Sequence, residues 1–134
     1  MFRLVSSDSI LSNSASLQKI SDYINTSLQQ AGYGFSSDGR TLGITPVIEH
    51  LLRKVGFVEV HLVPYMLNFS AGSPNWHMLY RNLEIMSQHF APMLQYQGLT
   101  TEESEALYRQ AHIDIRSEDF CAVEYLYAVY GKKK

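Results

Sequence analysis

Apolar positions along this chain change their period several times. Leu17, Ile20, Ile24, Leu28 and Ala31 recur at three- and four-residue steps, which predicts a helix over 13–31 with one apolar stripe. Ser12 or Ser14 can cap its start, and Gly32 can take the left-handed conformation that stops it. A second helix is predicted from Thr45-Pro46, with Val47, Ile48, Leu51, Leu52 and Val55 as its apolar face. Arg53 and Lys54 suit its last turn, where cations favour the helix dipole, and Gly56 ends it. From Phe57 to Phe69 the period becomes two: Val58, Val60 and Leu62 on one face, Glu59, His61 and Val63 on the other. That is a strand, and Pro64 limits how far it can pair on both sides.

The helical period returns after Ser73-Pro74, with Trp76, Leu79, Tyr80, Leu83, Met86, Phe90 and Leu94 along one side. Pro92 lies inside this pattern and predicts a kink or break just before it; Gly98 stops the helix. Thr100 and Glu103 fit a capping box for a fourth helix, whose apolar members are Ala106, Leu107, Tyr108 and Ala111. Phe120–Tyr130 is nearly all apolar, interrupted by Glu124, and reads as a strand buried on both faces. Phe2–Ser6 is a shorter strand at the other end of the chain. The alternation of strands and helices predicts an α/β layer fold. Its sheet is expected to be three-stranded and mixed, with about four helices and with Phe120–Tyr130 central and antiparallel to the other two strands. Residues 1–134 form one domain, with 74–117 as a helical excursion within it.

Composition narrows the function classes. Hydrophobic residues make up 46% of the chain and charged residues 18%, which is globular rather than disordered. A formal net charge of −2 gives no electrostatic case for nucleic-acid binding. Lys132–Lys134 reads as a solubilising tail. No window reaches the ~18 apolar residues of a membrane span, and "MFRLVSSDSI" is too short an apolar run for a signal peptide, so a cytoplasmic protein is expected. Cys121 is the one cysteine and, inside an apolar run, is expected to be a small buried thiol.

Candidate chemistry is sparse. None of the five histidines pairs at the i, i+4 spacing of a helical metal site. The "GYG" at 32–34 follows a helix rather than a strand and lacks a third glycine, so it is no dinucleotide fingerprint. The aromatic stripe of the third helix suits a core. Trp76 and His77 differ, because they sit at a helix start just after a strand, where ligands gather in open α/β sheets. Asp8 flanks the first strand and is either a site residue or a solvated turn residue.

The run "ITPVIEHLLRKVGFVEVHLV", the helical excursion and the closing "FCAVEYLYAVYGKKK" together resemble the C-terminal half of class I S-adenosylmethionine-dependent methyltransferases. The resemblance implies that Phe2–Ser6 is what remains of the fifth strand of a Rossmann-like sheet. It makes Phe57–Phe69 the sixth strand and Phe120–Tyr130 the seventh, returning antiparallel between them. The excursion over 74–117 then looks like the variable cap that shapes the acceptor site in small-molecule methyltransferases. Tyr65, Asn68, Trp76 and Tyr80 would contribute to the acceptor pocket, with Asp8 from the loop after the fifth strand. His77 would be the catalytic base, since an unperturbed imidazole titrates near neutrality.

The family's cofactor motifs are not in this sequence: neither the glycine-rich loop after strand one, nor the acidic residue ending strand two, nor the residues after strand four. No cofactor-binding residue can be carried over. Methyl transfer depends mostly on holding donor and acceptor in line, so the chain alone is expected to bind S-adenosylmethionine weakly or not at all. Three readings follow. The chain is the substrate-side portion of a methyltransferase; or it is an association module that dimerises through an exposed sheet edge or pairs with the missing N-terminal half; or it is an unrelated small α/β binding domain.

Overall fold

The computed structural model describes residues 2–32 and 47–134, and for residues 2–9 the backbone alone. The elements run β1 (Phe2–Ser12), α1 (Ala15–Gln30), α2 (Ile48–Lys54), β2 (Phe57–Asn68), α3 (Trp76–Tyr96), α4 (Thr101–Arg116) and β3 (Ala122–Lys133). The fold is α/β, with four helices and three strands among the described residues. The sheet order is β1-β3-β2, so the closing strand is central and antiparallel to both neighbours, as its apolar character predicts. The sheet is not mixed: β1 and β2 run parallel to each other but are separated by β3, and every paired ladder is antiparallel.

Local signals set most boundaries. Ser14 caps α1, its Oγ accepting from the Leu17 N–H at 3.0 Å. The same hydroxyl donates to Asp114 Oδ2 at 2.6 Å, which ties the start of α1 to the last turn of α4. Gly32, at φ +87°, lets the chain leave α1 in a conformation a side chain would resist. Thr45 and Pro46, expected to open α2, lie outside the described residues, as does most of the glycine-rich loop. At α4 the capping box closes in both directions: Glu103 N–H to Thr100 Oγ1 at 3.1 Å, and Thr100 N–H to Glu103 Oε2 at 2.8 Å.

Four expectations need correction. First, β1 continues through the polar run Ser6–Ser9 to Ser12, because β3 offers ladder partners to Ser6 and Ser7 and again to Ile10–Ser12. Pairing overrides the weak strand propensity of Ser and Asp, with one irregularity between Ser7 and Ile10. Second, α3 does not break at Pro92; it runs through to Tyr96. Proline removes one backbone donor, and the burial of Leu94 at 0% exposure, with Phe90 and Met93 against the same core, holds the final turns in place. Third, Lys132 and Lys133 are strand residues rather than a tail. Lys132 Nζ lies 2.6 Å from Glu59 Oε2 across the β2–β3 ladder, and this contact holds the Glu59 carboxyl below its ordinary pKa. Fourth, Cys121 is exposed just before β3, because burial on both faces is confined to the neighbourhood of Ala128 and Val129 and to the first residue, Ala122.

Two cores result. In the larger, α1, α3 and α4 bury Leu17, Ile20, Leu83, Leu94, Ala111 and Ile115 against one another, with Phe69, Phe120 and Ala122 from the strand ends closing the base. In the smaller, Ile48 and Leu52 of α2 pack on Val60 and Val129. Gly131 belongs to that second contact: a Cβ there would meet Phe57 Cδ1 at 3.3 Å. Leu83 is 1% exposed at the centre of the larger core. Leu83→Ala is expected to lower the unfolding free energy by about 2–5 kcal/mol in a urea titration. A loss under about 1 kcal/mol would mean that the three helices are not packed as described.

Candidate functional site

The chain leaves β2 through a turn fixed by its own polar groups. Ser73 Oγ donates to the Asn68 carbonyl at 3.0 Å, and the Ser70 N–H donates to Asn68 Oδ1 at 3.0 Å. The turn delivers Trp76 to the first position of α3, above the ends of the strands. Helical spacing then places Tyr80 one turn on from Trp76, with His77 beside them. The Trp76 indole N–H donates to the Ile115 carbonyl, one of the acceptors that the end of α4 leaves without a helical partner. Arg116, the last residue of α4, lays its guanidinium over the Tyr80 ring, 4.2 Å from the centroid, and also donates to the Tyr80 hydroxyl. Trp76, His77, Tyr80, Ile115 and Arg116 line a hollow of about 240 Å³, with His77 exposed in its wall.

Three of the residues expected to form an acceptor pocket are thus brought together. The others are placed differently. Asn68 serves the turn. Tyr65 lies on β2, paired with Leu126 and 48% exposed, outside the lining of the hollow. Asp8 falls in β1 at the irregularity before Ile10, and its side chain lies outside the described residues.

Beside the hollow, and sharing Tyr80 with it, a groove runs between α3 and α4. Tyr80, Glu84, Ser87 and Gln95 line it from α3; Ser104, Glu105, Tyr108, Arg109 and His112 line it from α4; it encloses about 560 Å³. Ser104 and Tyr108 are 3% and 5% exposed. The Ser104 hydroxyl, the Tyr108 hydroxyl and His112 Nδ1 are all buried without a hydrogen-bond partner among the described residues. Burial pushes the Tyr108 hydroxyl up to about 12, so it stays protonated. Burial also holds His112 below the usual imidazole range; Glu84 opposes that shift and Arg116 adds to it. The His112 ring meets the Tyr80 ring edge to face, with centroids 5.1 Å apart at 75°.

The apolar periodicity of the sequence does not mark Ser104, His112 or Arg116. A four-residue recurrence of polar groups at 104, 108 and 112, on the face that also carries Ala111 and Ile115, is the signal that marks them. Among the described residues no group of three His, Cys, Asp or Glu is placed to hold a metal ion. No helix among them is long and apolar enough to cross a membrane. No protein-family model matches the chain, and no curated protein sequence matches it.

Two outcomes follow from the buried polar groups. Tyr108→Phe deletes a hydroxyl that has no partner, and is expected to leave the free protein as stable or to raise its unfolding free energy by about 1 kcal/mol. A loss above about 1 kcal/mol by chemical denaturation would show that the hydroxyl is bonded after all. The lowered His112 pKa means that the unfolded chain takes up a proton more readily than the folded one. Stability is therefore full above about pH 6.5 and falls as pH drops toward the folded-state value. His112→Gln should flatten that part of the profile when urea midpoints are compared between pH 8 and pH 5; an unchanged slope would exclude His112 as its source.

Proposed function

We propose that this chain is the substrate-side portion of a class I S-adenosylmethionine-dependent methyltransferase acting on a small-molecule acceptor. The observation that carries the reading is the strand order. A closing strand that returns antiparallel between two mutually parallel strands is what the resemblance implies for the fifth, seventh and sixth strands of that family. The helical layer of α1, α3 and α4 then stands at the ends of β1 and β2, where ligands collect in open α/β sheets.

The hollow suits an acceptor and not the cofactor. Its volume of about 240 Å³ lies below the roughly 300–1,000 Å³ typical of drug-sized ligand sites. No residue of this chain is therefore assigned to S-adenosylmethionine. On this reading those contacts come from a polypeptide that carries the glycine-rich half. Trp76 and Tyr80 would wall the acceptor, with Tyr80 held by Arg116. His77, exposed beside them, would take the proton that the acceptor's hydroxyl or amine gives up. The single cysteine, which leaves no intrachain disulfide to form, suits the cytoplasm.

A second reading, a dimerising or interaction module built on the same fold, is favoured by one specific feature. Met66 and Tyr125 face each other across the β2–β3 ladder and are 55% and 54% exposed, with Leu62 and Leu67 also open on β2. Among the described residues β1 pairs on one side only, and such edges recruit further strands. Calorimetry separates the two readings. The methyltransferase reading expects no heat when S-adenosylmethionine is added to this chain alone, and saturable binding once a polypeptide carrying the glycine-rich half is present. If the mixture neither binds nor transfers a methyl group, that reading fails. Light scattering tests the alternative, for which a concentration-dependent dimer is expected; a clean monomer at high concentration counts against it.

A further inference from the structure

We propose that the α3–α4 groove is itself a binding site, for a small uncharged ring compound that carries a hydroxyl group at each end. Two packed helices ordinarily meet through an apolar seam. Here the seam is apolar at Leu79, Leu83, Ala111 and Ile115, but beside it α4 turns Ser104, Tyr108 and His112 into the groove at successive turns, about 6 Å apart along the axis. Each leaves a buried atom without a partner: two hydroxyls that can donate or accept, and one ring nitrogen. Three such groups in one row are a standing energetic penalty in the empty protein, and a ligand that bonds to neighbouring members of the row, as their side chains turn toward it, lessens it.

The chemistry of the row selects the ligand. A ligand hydroxyl suits each member because it can donate or accept: the two protein hydroxyls do both, and Nδ1 of a neutral His112 ring does one or the other according to which nitrogen carries the hydrogen. The rings of Tyr80, Tyr108 and His112 supply flat apolar walls for a planar molecule. Glu84 and Glu105 against Arg109 leave the rim slightly acidic, which disfavours an anion. The volume of about 560 Å³ falls inside the usual range for small-ligand sites. None of this rests on the methyltransferase reading: the groove is lined by α3 and α4 alone and has only Tyr80 in common with the Trp76 hollow.

The test is a titration of the full ¹⁵N-labelled chain with 4-hydroxybenzyl alcohol, followed by backbone amide shifts. Toluene and 4-hydroxybenzoate serve as controls for the ring alone and for a charged analogue. Saturable shifts over 80–91 and 104–112, with a Kd of about 1 mM or tighter, are expected. Ser104→Ala and Tyr108→Phe should each weaken binding roughly five- to tenfold while the rest of the spectrum keeps its native dispersion. No saturable shift in those segments would overturn the proposal. Equal binding of toluene would overturn the polar row as its basis, and so would affinity unchanged in both variants. Equal or tighter binding of 4-hydroxybenzoate would overturn the assignment to an uncharged ligand. The two substitutions remove only small groups from successive turns of the row, and the wild-type titration decides the site without either of them.

Discussion

Everything in this molecule hangs on β3 being paired along both edges. The strand is made last, and it has to lie between two others that run the same way. Ala128 and Val129 are fully buried on opposite faces of that strand, so the sheet is pinned there from both sides. The strand's position is set at its head by Asn13. The Asn13 backbone N–H donates to the Cys121 carbonyl at 3.1 Å, its side-chain amide donates to the Asp119 carbonyl at 2.9 Å, and its side-chain oxygen accepts from the Cys121 N–H at 3.0 Å. With Ser14 bonded to Asp114, this small polar knot joins the end of β1, the start of α1, the end of α4 and the start of β3. These bonds link residues about a hundred positions apart, so they can form only once the chain has closed. They select one arrangement of helices above the sheet rather than supplying the bulk of the stability, which comes from the apolar burial beneath them.

The elements that were legible in the sequence are those whose cause is local. A capping box needs Thr100 and Glu103 three residues apart, and nothing else in the chain is required to make it work. A near-continuous apolar strand has to find cover on two edges, so the central place of β3 could be read from its composition. The misreadings share the opposite property. Ser6–Ser9 are poor strand formers, and they form strand because β3 pairs with Ser6 and Ser7 and again from Ile10, on either side of the irregularity. Pro92 should interrupt a helix, and the burial of Leu94 from a distant core keeps the helix whole. Lys132 and Lys133 look like a solvated end, and they extend a ladder because Phe57 and Val58 lie opposite them. In each case a long-range contact outweighed a local preference worth about 1–3 kcal/mol.

The site shows the same division. Trp76, His77 and Tyr80 come together because one helical turn brings i and i+4 to one side, and that much is visible from spacing. Tyr65 and Asn68 belong to a strand that ends before the hollow begins, and Asn68 is occupied in building the turn that positions Trp76. Arg116 and Ile115, which complete the hollow, arrive from the far end of another helix. No local pattern announces that meeting, because it depends on how α4 lies across α3.

Tyr80 is where the two cavities meet, and it carries contacts from both sides. Its ring carries the Arg116 guanidinium on one side and the edge of His112 on another. Arg116 therefore does two things at once. It fixes Tyr80 as a wall of the Trp76 hollow, and its charge helps to hold His112 neutral at the end of the groove. A ligand bonded to His112 Nδ1 would sit against the same ring that walls the neighbouring hollow.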